Sequence, residues 1–246
     1  GAALVPGCAR YCALIPDKGL YYAEASGRLH IDFQRMEALL MENCGEARYV
    51  PLTDLLSGED YYATDIHWRQ ERILPVAVRL ADAMNAVIDG AGAYTTRSLY
   101  PFYGSYASRS AEAEPETLVY LTSAVTDGAT VENLQKPGIV TVYDPAAFTG
   151  MDGYDVFLSG ASPLVSVKNT APSQYARGRT LVLFRDSFGS AIAPLLLSGY
   201  ETVILADLRY GSVTALAEHI RITDPEKTDA LFLYGAQTAN TDGILR

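Results

Sequence analysis

The chain has 246 residues, 49% of them hydrophobic and 20% charged, and a formal net charge of −10. That length can bury one sizeable core and allows one or two domains, of which a single domain over residues 1–246 is the simpler expectation. The acid excess and the lack of any Lys/Arg run exclude a nucleic-acid surface, and no stretch approaches the roughly 18 uninterrupted apolar residues of a transmembrane helix.

Gly1-Ala2-Ala3 carries no charged segment leading into an apolar run, so a leader or anchor is expected outside this sequence. Residues 11–15 read as a short apolar strand closed by the turn cluster Pro16-Asp17-Lys18-Gly19. Residues 32–44 have helical spacing, with Phe33, Met36, Leu39, Leu40 and Asn43 near one face and Asp32 as the cap. A short strand over 49–52 follows, then a long helix from about Gln70 to Val87 that Gly90 ends and Pro75 kinks in its first turns. Residues 91–170 are rich in Gly, Ser, Thr and Tyr, with β-like runs at 117–121 and 139–143. They predict a β-rich insertion over the carboxyl edge of the sheet, where α/β sheets bind ligands. Regular alternation returns with a strand at 180–184, a helix at 191–198, a strand at 202–206, a helix at 213–220 and a strand at 230–234. The fold class is therefore α/β, a mainly parallel sheet flanked by helices.

Two short strings carry chemistry. In Thr64-Asp65-Ile66-His67-Trp68, the carboxylate and imidazole are two residues apart, which in extended backbone puts them on one face. In Arg185-Asp186-Ser187-Phe188-Gly189, the hydroxyl follows an apolar strand and precedes a helix, whose amino end aims N–H groups and a positive dipole at developing negative charge. Each string alone is common, since Ser caps helices and Asp-x-His pairs occur on surfaces. Among His30, His67 and His219, only His67 has a carboxylate two residues away and an aromatic beside it.

These strings, together with Ser98-Leu99-Tyr100, Tyr154-Asp155-Val156-Phe157-Leu158-Ser159-Gly160 and Ala206-Asp207-Leu208-Arg209-Tyr210, resemble the family named for its Asp-His-His-Trp motif. That family is a branch of the SGNH hydrolase superfamily akin to the alginate O-acetyltransferases of the bacterial envelope. The resemblance runs from about Tyr11 onward and includes the order of the motifs, Asp-x-His before Ser. It implies a three-layer SGNH-like fold, Ser187 as nucleophile, His67 as general base and Asp65 as the group that orients it. Ile66 stands where the family has its first motif His, and its side chain is expected to face away from the pair. SGNH enzymes draw oxyanion donors from the nucleophile's own N–H, a Gly N–H and an Asn side chain, which implies Ser187 and Gly211 here. Gly235 stands where the Asn would be sought, with Asn240 five residues on as its substitute. The resemblance also implies an extracytoplasmic protein, secreted or envelope-anchored through a segment outside this sequence, and leaves room for a membrane-bound partner that delivers the acyl group.

Cys8, Cys12 and Cys44 allow one disulfide, Cys12–Cys44 or Cys8–Cys44, or three free thiols. With no Cys-x-x-Cys and no His-Glu-x-x-His, neither a metal site nor another cofactor is expected. Trp68 is expected to wall the pocket and pack against His67; the cluster Tyr100, Phe102, Tyr103 and Tyr106 reads first as half-buried packing, with a sugar-stacking face at Tyr103 as the alternative; and Arg185 and Arg209 are candidates to hold a substrate carboxylate, although Arg185 could equally pair with Asp186 or Asp207. The resulting expectation is serine-dependent acyl transfer on cell-surface or extracellular carbohydrate, as O-acetyltransferase or acetylesterase. The alternative is a noncatalytic carbohydrate-binding or assembly protein on the same scaffold.

Overall fold

The apolar run before Ser187 becomes an inner strand of a long sheet. A computed structural model describes residues 2–23, 26–107, 113–135, 139–149 and 152–241. Its strands are β1 (Ala9–Ile15), β2 (Arg48–Tyr49), β3 (Thr95–Phe102), β4 (Glu116–Thr122), β5 (Thr130–Asn133), β6 (Ile139–Val140), β7 (Leu164–Lys168), β8 (Thr180–Arg185), β9 (Thr202–Ala206) and β10 (Thr228–Gly235). The helices are α1 (Gly19–Tyr22), α2 (Phe33–Asn43), α3 (Leu74–Ala83), α4 (Ala124–Gly128), α5 (Phe188–Leu196), α6 (Val213–Ala217) and α7 (Ala236–Ala239). Eight strands form one sheet in the order β2-β1-β10-β8-β9-β7-β5-β6, and β3 pairs with β4 in a separate antiparallel hairpin. The five strands from β2 to β9 run parallel, while β7, β5 and β6 continue the sheet antiparallel.

Alternation along β8 explains the layers. Leu181 and Leu183 join a core shared with α3 and α5, whereas Val182 and Phe184 face Leu4, Val5, Leu216 and Ile220 on the other side. Phe184 also stacks on its cross-strand partner Phe232, centroids 4.5 Å apart. Both faces of β8 are therefore dry, as its unbroken apolar sequence requires. Of the β-rich stretch 91–170, β5, β6 and β7 extend the main sheet, and the loops carrying Ser105 and Tyr154 reach the cavity beside Ser187.

Several boundaries differ from those the sequence predicts. The helix expected over 70–87 is a 3₁₀ turn at Gln70–Arg72 followed by α3, in which Pro75 occupies the first turn and starts the helix instead of kinking it. It stops before Gly90, because Asn85 takes a left-handed φ of 51° and the Ala86 N–H returns to the Ala81 carbonyl. The helix expected over 191–198 begins three residues earlier, directly after Ser187. Pro194 therefore lies inside α5, not in its first turn, and the Ser190 carbonyl loses its ordinary donor four residues on. The α2 cap is as expected, with Asp32 accepting the Arg35 N–H at 2.9 Å, but among its residues only Phe33 is buried.

Gln70 fastens three of these parts. Its fully buried amide donates to the Ala191 carbonyl in α5 (2.6 Å) and accepts from the Leu121 N–H in β4 (2.7 Å) and the Tyr143 hydroxyl (3.2 Å). Gln70→Leu keeps the volume and orphans a buried N–H and a buried carbonyl, so it should destabilise the chain by roughly 3 kcal/mol. Urea denaturation of the two proteins checks this, with an unchanged slope and a lower midpoint as the expected outcome.

Candidate functional site

Asp65 and His67 stand at the tip of a hairpin-like loop. Tyr61 and Trp68 form an antiparallel bridge at its base, and the Tyr62 N–H bonds the His67 carbonyl at 3.1 Å. Between these two residues the backbone bends instead of running extended, and a turn in which the Asp65 carboxylate accepts the His67 N–H brings the side chains together in place of the shared strand face that the two-residue spacing predicts. Asp65 Oδ1 lies 2.5 Å from His67 Nδ1 and also accepts the His67 N–H at 2.9 Å, while Oδ2 accepts the Ser105 N–H at 2.7 Å. Gly104 makes this approach possible, since a Cβ there would stand 2.4 Å from both Asp65 Cβ and the Thr64 carbonyl oxygen.

On the far side of the ring, His67 Nε2 is 2.7 Å from Ser187 Oγ. Ser187 is the N-cap residue of α5, yet its side chain makes no capping bond and its hydroxyl turns to the imidazole instead. The three groups form one continuous hydrogen-bonded chain, and both ring nitrogens are engaged by it. His67 is held flat against Tyr154, centroids 3.9 Å apart and planes 8° from parallel, with Phe188 tilted at 4.9 Å. Burial pushes the Tyr154 phenol well up, so the stacked ring stays neutral.

Burial also pushes the Asp65 carboxyl up, but the bonds and charge of His67, with the Ser105 and His67 N–H groups, outweigh it and bring the pKa to about 2. Asp65 is then ionised across the physiological range, which places the shared proton on Nδ1 and leaves Nε2 to accept from the Ser187 hydroxyl.

Asp186 builds the turn that carries Ser187. Its buried carboxylate accepts the Phe188 N–H at 3.1 Å and the Gly235 N–H at 2.8 Å, tying the start of α5 to the end of β10. Gly235 is thereby unavailable as an oxyanion donor. The Gly211 N–H is likewise bound, to the Asp207 carbonyl at 3.2 Å, and Asn240 borders a different cavity, between α2 and the sheet. Of the four expected donor residues, Ser187 and Gly235 border a cavity at the turn, and the Gly235 N–H is engaged by Asp186.

Two cavities meet at Ser187. One, of about 250 Å³, is bordered by His67, Ser105, Tyr154, Gly160, Ser190 and Tyr210 among others. The smaller, of about 50 Å³, lies toward Gly235, Gln237 and Thr238. Ile66 and Arg209 border both.

The remaining expected site residues stand in different settings around this turn. Trp68 is fully buried and borders neither cavity; its indole N–H donates to the Phe188 carbonyl at 3.2 Å and its ring meets Phe188 edge-on, so it braces the turn from behind. Arg185 is also fully buried, with Nη1 3.3 Å from the Asp186 carbonyl and 3.7 Å from Asp207 Oδ2, and it borders the larger cavity from beneath. Arg209 spends its fork on Asp207, at 2.9 and 2.7 Å. Tyr100 and Tyr103 are exposed, at 66% and 54%, whereas Phe102 is core. The Cys44 thiol donates to the Met41 and Ala47 carbonyls, at 3.4 and 3.1 Å, and Cys8 lies in the second core; all three cysteines are free. Tyr154, Ser105 and Asp186 carry no local sequence signal of their positions, although Tyr154 and Asp186 fall within motif strings of the family resemblance.

Solved structures with this architecture exist. The chain shares its fold with a DHHW family protein. That protein, from Eubacterium siraeum, superposes with a TM-score of 0.73 at 17% identity, over 98% of this chain and 82% of its own. PatB1 of Bacillus cereus, solved alone and with a sulfonyl adduct, gives 0.71 at 19% over 98% of this chain and 86% of PatB1. The O-acetyltransferase domain of AlgJ from Pseudomonas putida gives 0.52 at 11%, over 95% of this chain and 76% of that one. The sequence matches no protein-family model and no curated protein. Among the described residues no helix is long and apolar enough to cross a membrane.

The depressed Asp65 carboxyl makes stability depend on pH in a stated direction. Because its pKa is lowered from 3.8 to about 2 on folding, its contribution is complete above 3.8 and is lost as pH falls through 2. Melting temperature followed from pH 5 downward should therefore fall more steeply between about 4 and 2 in the wild type than in Asp65→Asn.

Proposed function

We propose that the chain is a serine-dependent acyl transferase that works on extracytoplasmic carbohydrate, as an O-acetyltransferase or acetylesterase. The observation that carries this reading is the unbroken bond chain from Asp65 through His67 to Ser187, with the serine on a strand-to-helix turn and its hydroxyl free of any capping bond. The fold it shares with an O-acetyltransferase domain supports the same class of chemistry. Residues 1–246 act as one unit in this reading, because the site draws on the Asp65 loop, the Ser105 and Tyr154 loops and the β8–α5 turn together.

His67 Nε2 takes the Ser187 proton as Oγ attacks an ester carbonyl, and Asp65 stabilises the imidazolium that forms. The Ser187 N–H and the positive end of α5 face the tetrahedral oxyanion. Collapse expels the donor's alcohol, protonated by His67, and leaves the acyl group on Ser187. A second hydroxyl, activated by the same imidazole, then releases it: water makes the reaction hydrolysis, a sugar hydroxyl makes it transfer. No step asks for a cofactor. Exposed Tyr103, two residues from the Ser105 N–H that holds Asp65, offers a face on which a sugar ring stacks. A membrane-bound partner would supply the acyl donor where transfer is the outcome.

The engaged Gly211 and Gly235 N–H groups favour a second reading, a carbohydrate-binding scaffold without turnover. Loss of one oxyanion donor costs on the order of 10²–10³ in rate elsewhere. A fluorophosphonate probe with intact-mass detection separates the two. The proposed enzyme gains one adduct that Ser187→Ala lacks, and a folded wild type that gains none is the scaffold. With a chromogenic acetate ester, Ser187→Ala and His67→Ala should each lower turnover by at least about 10³-fold. Acetylated oligosaccharide above the hydrolysis background identifies transfer.

A further inference from the structure

The loop that presents Asp65 has little regular structure of its own, yet five of its backbone groups, the Tyr62, Ala63 and Asp65 carbonyls and the Ala63 and Thr64 N–H, are held by charged side chains from elsewhere in the chain. Lys18, in the turn that closes β1, donates to the carbonyls of Tyr62 (2.9 Å), Ala63 (3.1 Å) and Asp65 (2.8 Å). Three convergent carbonyls use all three donors of one ammonium. Glu116, at the start of β4, takes the N–H side: Oε1 accepts from the Ala63 N–H at 3.0 Å, and Oε2 accepts from the Thr64 N–H and the Thr64 hydroxyl, both at 2.7 Å. Arg69 pairs with the same carboxylate at 2.5 Å and fixes it from behind. Thr64 is pinned further, its hydroxyl accepting the Gly104 N–H at 3.2 Å and its carbonyl the Tyr106 N–H at 2.8 Å.

We infer that Lys18 and Glu116 form a clamp of opposite charges on the 62–65 backbone and act as positioning residues for Asp65, setting the depth and angle at which its carboxylate meets His67. The inference rests on the proposed function for its kinetic consequence, though not for its geometric one. Neither side chain reaches Ser187 or borders the two cavities that meet there. Their effect passes through Asp65 alone, whose carbonyl is one of the three Lys18 acceptors. Arg cannot replace Lys18, because a planar fork does not converge on three carbonyls as a compact ammonium does.

The test uses the full chain with Lys18→Met, Lys18→Arg, Glu116→Gln and Thr64→Val, the last a mild variant that removes only the hydroxyl links. Folding is checked by circular dichroism, turnover by hydrolysis of a chromogenic acetate ester, and the Asp65–His67 bond by its far-downfield proton resonance in NMR. Misplacement of a reacting group by about 1 Å costs on the order of 10²-fold. Lys18→Met, Lys18→Arg and Glu116→Gln should thus lower kcat by about 10- to 100-fold with KM changed less than about twofold. The downfield resonance should shift or vanish in the same proteins, and Thr64→Val should show a smaller change of the same kind. Folded variants with wild-type kcat and an unmoved resonance would overturn the clamp. A wild type without turnover or fluorophosphonate labelling, whose resonance the variants still lose, would leave the clamp standing and remove the acyl-transfer reading instead.

Discussion

The constraint on which the site depends is the passage from β8 into α5. The chain must leave the middle of a sheet, between β9 and β10, and enter a helix buried on every side within two residues. Asp186 makes this passage by satisfying the Phe188 N–H of the new helix and the Gly235 N–H of the neighbouring strand with one carboxylate. Gly189 permits it, since a Cβ at that position would stand 2.5 Å from Arg185 Cβ. The result is a serine whose backbone is already helical, with φ −61° and ψ −26°, and whose side chain is released from capping. A rigid hydroxyl at the carboxyl edge of a sheet is then available to whatever the facing loop presents.

That facing loop is ordered in a different way. β8 is held by strand pairing and by apolar contact on both faces, whereas the 61–68 loop sets Tyr61, Tyr62 and Trp68 at its base into the core and has its tip held by ions and single hydrogen bonds to distant segments. Burial of the Asp65 charge is compensated locally, by the Ser105 and His67 N–H groups and by the imidazole itself. One half of the site is therefore fixed by the core. The other half is rooted in the core at its base and fixed at its tip by partly buried electrostatics, which are more directional.

This division explains what the sequence discloses and what it withholds. The run Thr180-Leu181-Val182-Leu183-Phe184 reads as a doubly buried strand because burial on both faces leaves no polar alternation, and the structure places it there. The two-residue spacing of Asp65 and His67 is a local property, and the pair meets as expected, though through a turn and not along a strand face. Their meeting with Ser187 spans 120 residues, and nothing local encodes it; order of motifs and family resemblance carry it. β7 is missed although Leu-Val-Ser-Val-Lys alternates, because its antiparallel place beside β9 is a matter of topology. Trp68 misleads because an aromatic beside His67 reads as a pocket wall, while 0% exposure makes it a support of the turn; Arg185, equally buried, borders the larger cavity and lies against Asp186 and Asp207, the pairing its sequence position also allows. Tyr154, flat on His67, belongs to a string that matches by resemblance, but stacking across a loop leaves no periodic trace.

The same carboxylate that makes the turn also limits it. Asp186 occupies the Gly235 N–H, which stands at the lip of the smaller cavity and would otherwise be free to meet charge developing beside Ser187. A donor used to join β10 to α5 in the ground state cannot also strengthen its bond in the transition state without breaking that joint. In the proposed mechanism, stabilisation of an oxyanion would therefore rest on the Ser187 N–H and the end of α5, or on a substrate that brings its own donor. Under the proposed acyl-transfer reading, a rigidly held hydroxyl with few oxyanion donors places more of the rate on proximity, which an acceptor hydroxyl bound close to the acyl carbon would supply.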